Sequence, residues 1–383
     1  MQDIIDKYLK GDRSIWAIVL LLVLSSAVIA LSASSNMAYR LTDGNATPFW
    51  FKHVATLIVG VVMMIYLQHF QFKYFSRISQ MGIWVAGALL LVTLLFGRNV
   101  NSAQRWIMGF QPSDLAKIVL ILFVARMLTI NASKIKNFKE GVLPIIIPIA
   151  LICMLILPAD FSTAFMLGAV CFAMLFVGGV ALKHMGLVIG VAVGLFMFLI
   201  LVDTASPGLL PRVETWKVRM ISFLHLGEGD LTSENKEDNY QADQAVRSVV
   251  NGGLFGTGVG RGKIKTDMYS AQSDFVFASI VEEFGLILGC IPLLVLYLML
   301  FFRSVRIMLK TESKFGSYVA FGLSFLLVFQ ALVNMGVGVN LLPVTGQPLP
   351  LVSMGGTSIL FTCISIGIIL NVSKGVELDT TKS

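Results

Sequence analysis

Asp274 stands in Ser273-Asp274-Phe275-Val276-Phe277, where a polar segment gives way to a long apolar run. A carboxylate at such a boundary has two readings. It can be a helix-start group, stabilised by free N–H groups and the positive end of the macrodipole. It can equally be a general base, which needs a pKa not far below the working pH. The dipole lowers that pKa and partial burial raises it, and the sequence leaves the balance open. Glu282 would lie about 12 Å deeper in the same helix, rotated about 80° from Asp274, with Glu283 rotated about 180°. A charge at that depth facing lipid costs at least ~2.5 kcal/mol, so Glu282 should face other helices and find a partner there. That partner makes it a structural ion pair or a neutral carboxylic acid.

Cations and irregular backbone recur at the same level of the chain. Lys117 falls about one turn into a helix that starts after Gln111-Pro112-Ser113-Asp114, and it can snorkel outward or present its charge to a bound anion. Arg105-Trp106 precede it; a Trp there also suits the ordinary aromatic belt of a membrane interface. The run from Asn251 to Gly262 is rich in glycine and leads into Lys263 and Lys265. It fails the nucleotide-loop spacing because Arg261 interrupts it, and it lacks a preceding strand. Its glycines suit tight turns and close approach to a ligand or to the bilayer surface, and Arg261, Lys263 and Lys265 suit an anionic head group. Gln330 and Asn334 share a helix face, for which interhelical hydrogen bonding is the simplest account. The stretch from Pro343 through Pro348-Leu349-Pro350-Leu351-Val352-Ser353 to Gly356 interrupts a helix. Irregular backbone at membrane depth is tolerated only inside protein or along a cavity, so Ser353 is placed beside a site.

The elements that hold these residues follow from composition. The chain has 383 residues, 56% hydrophobic and 13% charged, with a mean hydropathy of +0.82. A soluble globule has too little interior to hide that much apolar surface. The apolar runs are long and do not alternate, so the chain is expected to be an all-α, polytopic membrane protein. About ten spans are expected, near 14–33, 50–67, 80–97, 113–130, 141–157, 160–181, 185–203, 274–302, 317–341 and 349–372. The first is expected to be a span and not a cleaved leader, because its apolar stretch is long and further spans follow. The whole chain, 1–383, is expected to form one integral-membrane domain. Residues 204–273 form a large loop within it, too long for a passive connection, with a solvated acidic part from Glu228 to Asp238.

Lys and Arg concentrate in alternate short loops, around Lys7–Arg13, Lys73–Arg77, Lys134–Lys139, Lys183, Arg303–Lys314 and Lys374. That asymmetry puts both termini in the cytoplasm and the 204–273 loop outside. It also accounts for the net charge of +7 without nucleic acid, because no aromatic stacking platform accompanies the basic residues. Cys153, Cys171, Cys290 and Cys363 all lie in apolar runs and form no C-x-x-C pair, so neither a disulfide framework nor a zinc site is expected. Arg105, Lys117, the glycine run, Asp274 and the 343–356 stretch then fall at the outer half of the membrane, which predicts a cavity facing the outer leaflet.

These residues resemble the SEDS family of bacterial cell-wall synthesis. The resemblance rests on Gln104-Arg105-Trp106-Ile107, Phe110-Gln111-Pro112-Ser113-Asp114-Leu115-Ala116-Lys117 and Pro158-Ala159-Asp160-Phe161-Ser162-Thr163. It continues through Tyr240-Gln241, the run Gly252 to Gly260, Ser273-Asp274-Phe275-Val276-Phe277 with Glu282-Glu283, and Pro348 to Ser353. The match covers nearly the whole chain in order. The glycine run leading to Asp274, with Arg212, Arg219 and Phe223 upstream, is more similar to the FtsW branch than to the RodA branch. The chain departs from the family pattern in having Asp114 for Glu, Phe161-Ser162 for Leu-Gly, Met354 for Tyr and Ser270-Ala271-Gln272-Ser273 before Asp274.

The resemblance implies a peptidoglycan glycosyltransferase that polymerises lipid II, with Asp274 as base and undecaprenyl pyrophosphate as leaving group. It implies Arg105, Trp106, Lys117, Lys263, Lys265, Glu282 and Ser353 as substrate contacts. A divalent cation, Mg or Mn, is a candidate cofactor, its ligands unassigned, and no organic cofactor is expected. The implied partners are a class B penicillin-binding protein, other divisome proteins and membrane lipid, at the septum of the bacterial inner membrane. The alternatives are a RodA-type elongation polymerase, a lipid II flippase, and a non-catalytic scaffold for division proteins.

Overall fold

A computed structural model describes residues 10–41, 46–100, 103–107, 109–205, 233–264 and 271–380, with 213, 216, 223 and 268 singly. Within these, 34–41, 98–100, 103–105, 233–239 and 377–380 are described in their main-chain course alone. The helices in order are α1 (Arg13–Leu41), α2 (Thr47–His69), α3 (Lys73–Phe96), α4 (Pro112–Ile130), α5 (Leu143–Ile156), α6 (Phe161–Val177), α7 (Leu182–Ala205), α8 (Ser233–Gly252), α9 (Val276–Gly285), α10 (Ile291–Lys310), α11 (Lys314–Gly338) and α12 (Gly356–Thr380). π-helical turns at Phe138–Val142 and Leu286–Cys290 lead into α5 and α10. The fold is nearly all helical, as composition requires.

Local chemistry starts the helices where they start. Asp12 Oδ1 accepts from Ser14 N (2.8 Å) and caps α1. Pro112 opens α4, where its missing N–H costs nothing. Asp160 Oδ1 accepts from Thr163 N (2.9 Å) at α6, and Ser313 Oγ from Gly316 N (3.2 Å) at α11.

Among the described residues, eight helical segments are long and apolar enough to cross a membrane. α4 and α6 occupy the other two expected positions; α4 carries Asp114, Lys117 and Arg126, and α6 is shorter. α11 and α12 are largely surrounded by other helices, whereas α7 touches the bundle mainly through α6.

Three features depart from the sequence reading. The connection after α3 forms a hairpin, β1 (Arg98–Val100) paired antiparallel with β2 (Ala103–Trp106). The tenth span begins at Gly356, seven residues later than expected, because 339–355 is irregular. The expected loop 204–273 contains α8, which packs on α9 and α11. Its buried face is Gln241, Gln244, Ala245 and Ser248, too polar to give an apolar period. The acidic residues Glu228 and Asp230, and Arg212 and Arg219, lie outside the described residues.

The two ends of the bundle differ. At one end Asp12 N donates to Ser373 Oγ (2.9 Å), Lys10 N to Gln68 Oε1 (3.0 Å), and Asn371 Nδ2 to Leu67 O and Phe70 O (both 2.7 Å). Arg303 reaches Ser14 and Asp12 there. The start of α1, the α2–α3 turn and the ends of α10 and α12 are thus knotted together. The opposite end carries the starts of α4, α6 and α9 and the irregular 339–355 segment.

Candidate functional site

Asp274 lies just before α9, partly buried, and the residue at the helix cap itself is Phe275, which offers no capping side chain. The main chain of Asp274 is pinned, together with that of the three residues before it. Four successive carbonyls each accept a hydrogen bond from outside the segment or from α9. Ala271 O receives Ser279 Oγ (3.2 Å), Gln272 O receives Met354 N (2.9 Å), Ser273 O receives Ser353 Oγ (2.6 Å) and Asp274 O receives Asn334 Nδ2 (2.8 Å). A segment so pinned fixes the direction in which its side chains leave.

The wall of this frame is the irregular 347–354 segment. Leu351 has φ +64°, a conformation that costs a branched residue energy and persists only when neighbours enforce it. They do: Tyr297 OH donates to Pro350 O (2.5 Å), and Val352 N and Ser353 N both donate to Leu349 O. Gln330 Nε2 donates to Pro348 O (2.8 Å), and Asn334 Nδ2 also reaches Gln347 O (2.7 Å). Gln330 and Asn334 therefore bond to broken backbone and not to a neighbouring helix, as had been expected. Ser26 Oγ donates to Val352 O (3.3 Å), so His53 Nε2, 2.8 Å from that hydroxyl, is the donor to it. Ser353 is buried, its hydroxyl joining Leu349 N to Ser273 O.

Lys117 is 6% exposed and Asp114 4%, and they form an ion pair at 2.7 Å. Lys117 does not snorkel; its charge lies inside the protein. Asp114 Oδ2 is buried without a partner among the described residues. On α6, Thr163 accepts at Oγ1 from Gln347 Nε2 (2.8 Å) while its N–H caps to Asp160. A continuous chain of contacts thus runs from Asp160 through Thr163, Gln347 and Asn334 to Asp274. Gln347 was not singled out from sequence, and Thr163 entered only within the Pro158–Thr163 motif; a lone Gln before Pro348 and a Thr in an apolar helix carry no periodic signal.

The glycine run turns inward. Thr257 N and Gly258 N donate to Glu282 O (2.9 Å) and Glu283 O (3.0 Å), while Leu286 N and Ile287 N donate to Gly253 O and Leu254 O. The membrane helix breaks at Gly285 (φ +75°), and the loop takes up the main-chain groups that the break frees. A Cβ on Gly252 would lie 2.0 Å from Val281 O and one on Gly256 2.2 Å from Glu283 O. The close approach is to α9, not to a ligand or the bilayer surface. Glu282, fully buried, accepts from Asn251 Nδ2 (3.1 Å) and Ile264 N (2.9 Å); Glu283 accepts from Gly260 N (3.1 Å) and Ser32 Oγ. These are contacts that anchor a loop.

The remaining expected residues are less tightly drawn in. Trp106, partly buried, ends β2 opposite Arg98. Arg105 precedes it, described in its main chain. Lys263 is exposed within the loop, and Lys265 lies outside the described residues. No group of three or more His, Cys, Asp or Glu that could hold a metal occurs among the described residues. Asp114, Asp160 and Asp274 supply one carboxylate each, of which Asp114 is paired and Asp160 caps a helix.

A family model described as cell cycle protein, covering FtsW, RodA and SpoVE, matches residues 12–377. The probable peptidoglycan glycosyltransferase FtsW of Geobacter metallireducens is 33% identical over 379 residues, covering 96% of this chain and 95% of its own length. Stage V sporulation protein E of Bacillus subtilis is 30% identical over 375 residues, covering 95% and 97%. Among solved structures, a chain of a peptidoglycan synthase complex superposes with a TM-score of 0.72 at 24% identity, covering 96% of this chain and 98% of that one. The rod shape determining protein RodA of Thermus thermophilus superposes at 0.67 with 22% identity and the same coverage. These two likenesses establish the fold.

Proposed function

Since the chain belongs to the FtsW, RodA and SpoVE family of cell cycle proteins, we propose that it is a peptidoglycan glycosyltransferase of the FtsW kind, polymerising lipid II at the septum of the bacterial inner membrane. The observation that carries this reading is the rigid framing of Asp274, with four successive carbonyls tied at the end of the bundle that also buries Lys117 and Asp114.

That framing supports Asp274 as the base of the proposed reaction. The Asp274 carboxylate takes the proton of the acceptor's GlcNAc 4-hydroxyl. The freed oxygen attacks the anomeric carbon of the growing glycan, the bond from that carbon to the pyrophosphate oxygen breaks, and configuration inverts. Undecaprenyl pyrophosphate leaves with the electron pair. Negative charge grows on the pyrophosphate, so cations near it stabilise the transition state. Lys117, Arg105, Lys263 and Lys265 are the groups assigned to that role, and Trp106 to packing against the substrate. Glu282 and Ser353 serve the substrate indirectly, Glu282 by holding the 251–264 loop and Ser353 by holding the frame.

A divalent cation suits this chemistry as a neutraliser of pyrophosphate charge. Among the described residues no three carboxylates come together to hold one, and an ion that binds would take ligands from the pyrophosphate. The basic loops face the cytoplasm together with both termini. A class B penicillin-binding protein, anchored by a single helix, is the crosslinking partner, within an assembly of other division proteins and membrane lipid.

The reading is tested by giving labelled lipid II to the purified chain with its class B partner. It predicts glycan ladders on a gel. Translocation of lipid II across reconstituted vesicles with no polymer formed would replace it with a transport function.

A further inference from the structure

We infer that Asn334 is a positioning residue for Asp274, setting the base through its main chain and coupling it to the 347–354 segment. The inference rests on the reading of Asp274 as the base. Asn334 lies near the outer end of α11 and is 1% exposed. Its Nδ2 carries two hydrogens, and both are committed: one to Asp274 O at 2.8 Å, the other to Gln347 O at 2.7 Å. Oδ1 is buried without a partner among the described residues, so this amide is present for its donors. Of the four groups that hold the carbonyls of 271–274, Asn334 alone reaches the residue that bears the carboxylate. It is also the one that comes from α11, a helix largely surrounded by others.

The consequence is geometric. With Asn334 in place, Asp274 and the wall opposite it move together, and through Gln347 they are tied to Thr163 on α6. Without its donors, the buried Gln347 carbonyl and the partly buried Asp274 carbonyl each lose a hydrogen bond, and Asp274 is released at its own carbonyl. A base displaced by about an ångström loses about a hundredfold in rate while the substrate still binds.

The experiment compares Asn334→Ala, Asn334→Asp and Asn334→Gln with wild type and Asp274→Asn, each in complex with the class B partner. Polymerisation kinetics are followed across pH, together with Tm. Asn334→Asp is nearly isosteric but loses both N–H donors as a carboxylate. Asn334→Ala, which buries no charge, carries the same test if the Asp variant does not fold. The expected result is a fall in kcat of about a hundredfold for Ala and Asp, with KM within about threefold. The acid limb of the kcat/KM profile should be displaced, and Asn334→Gln, which keeps both donors, should recover part of the rate. The inference is overturned if the folded fraction of Asn334→Ala turns over like wild type with an unmoved pH profile, even if its Tm is lower. Normal polymer from Asp274→Asn would instead remove the base reading, and this inference with it. A dead Asp274→Asn beside a normal Asn334→Ala removes this inference alone.

Discussion

Lys117 and Asp114 show how one residue's environment changes what its charge can do. The sequence left Lys117 free to snorkel; the structure buries it at 2.7 Å from Asp114. A buried pair is sensitive to the loss of either partner, at about 3–5 kcal/mol, yet removing both can be nearly neutral. Lys117→Met should therefore lower Tm sharply and abolish polymer. Lys117→Met combined with Asp114→Leu should regain most of the Tm but no polymer, because a pyrophosphate still lacks its cation. Thermal melts in detergent beside the polymerisation assay would separate the two effects; recovery of polymer in the double variant would contradict the assigned role. At this scale Asp274, Lys117 and Glu282 were legible as candidates, and the inward placement of Glu282 was expected because a charge deep in an apolar run must face protein. Thr163, Gln347 and the donor role of Asn334 were not. Uncharged polar residues acquire meaning only from the carbonyl opposite them.

The broken helix formed by α9, the π turn and α10 is the element on which the site depends. The break at Gly285 would leave main-chain groups without partners inside the membrane, and the 252–258 loop supplies them. Gly256, at φ +80° and with a Cβ that would meet Glu283 O at 2.2 Å, admits no side chain. Gly256→Ala should lose at least about 1–3 kcal/mol from the strained φ alone, and faster amide exchange should be confined to 252–264 and the α9–α10 junction. Exchange unchanged there would mean the loop is not what closes the break. Glu283→Gln should loosen the same loop more mildly, raising exchange at Gly260 first, since a carboxylate acceptor is stronger than an amide one. The long spans were readable from apolar length. α8 was not, since its buried face is Gln, Ala and Ser, and the glycine run was understood as permissive backbone without any sign that its neighbour would be α9.

The whole molecule is polar in the sense that its two ends do different work. One end ties the start of α1 to the end of α12, and Gly11 (φ +90°) sits where a Cβ would lie 2.5 Å from Ser373 Oγ. Gly11→Ala should lower Tm while leaving the rate of the folded protein unchanged, because that end takes no part in the reaction. The asymmetry of Lys and Arg predicts sidedness as well. A maleimide that cannot cross membranes should label Lys263→Cys in intact spheroplasts, and Lys314→Cys only after permeabilisation; the reverse pattern would invert the topology and move the site to the wrong face. The central claim is that Asp274 is the base of a lipid II polymerase. Its most direct test is polymerisation of labelled lipid II by the complex with its class B partner, wild type against Asp274→Asn, with lipid II binding measured on the same samples. The account predicts polymer from wild type alone and equal binding by both. Polymer of normal length and rate from Asp274→Asn would contradict it.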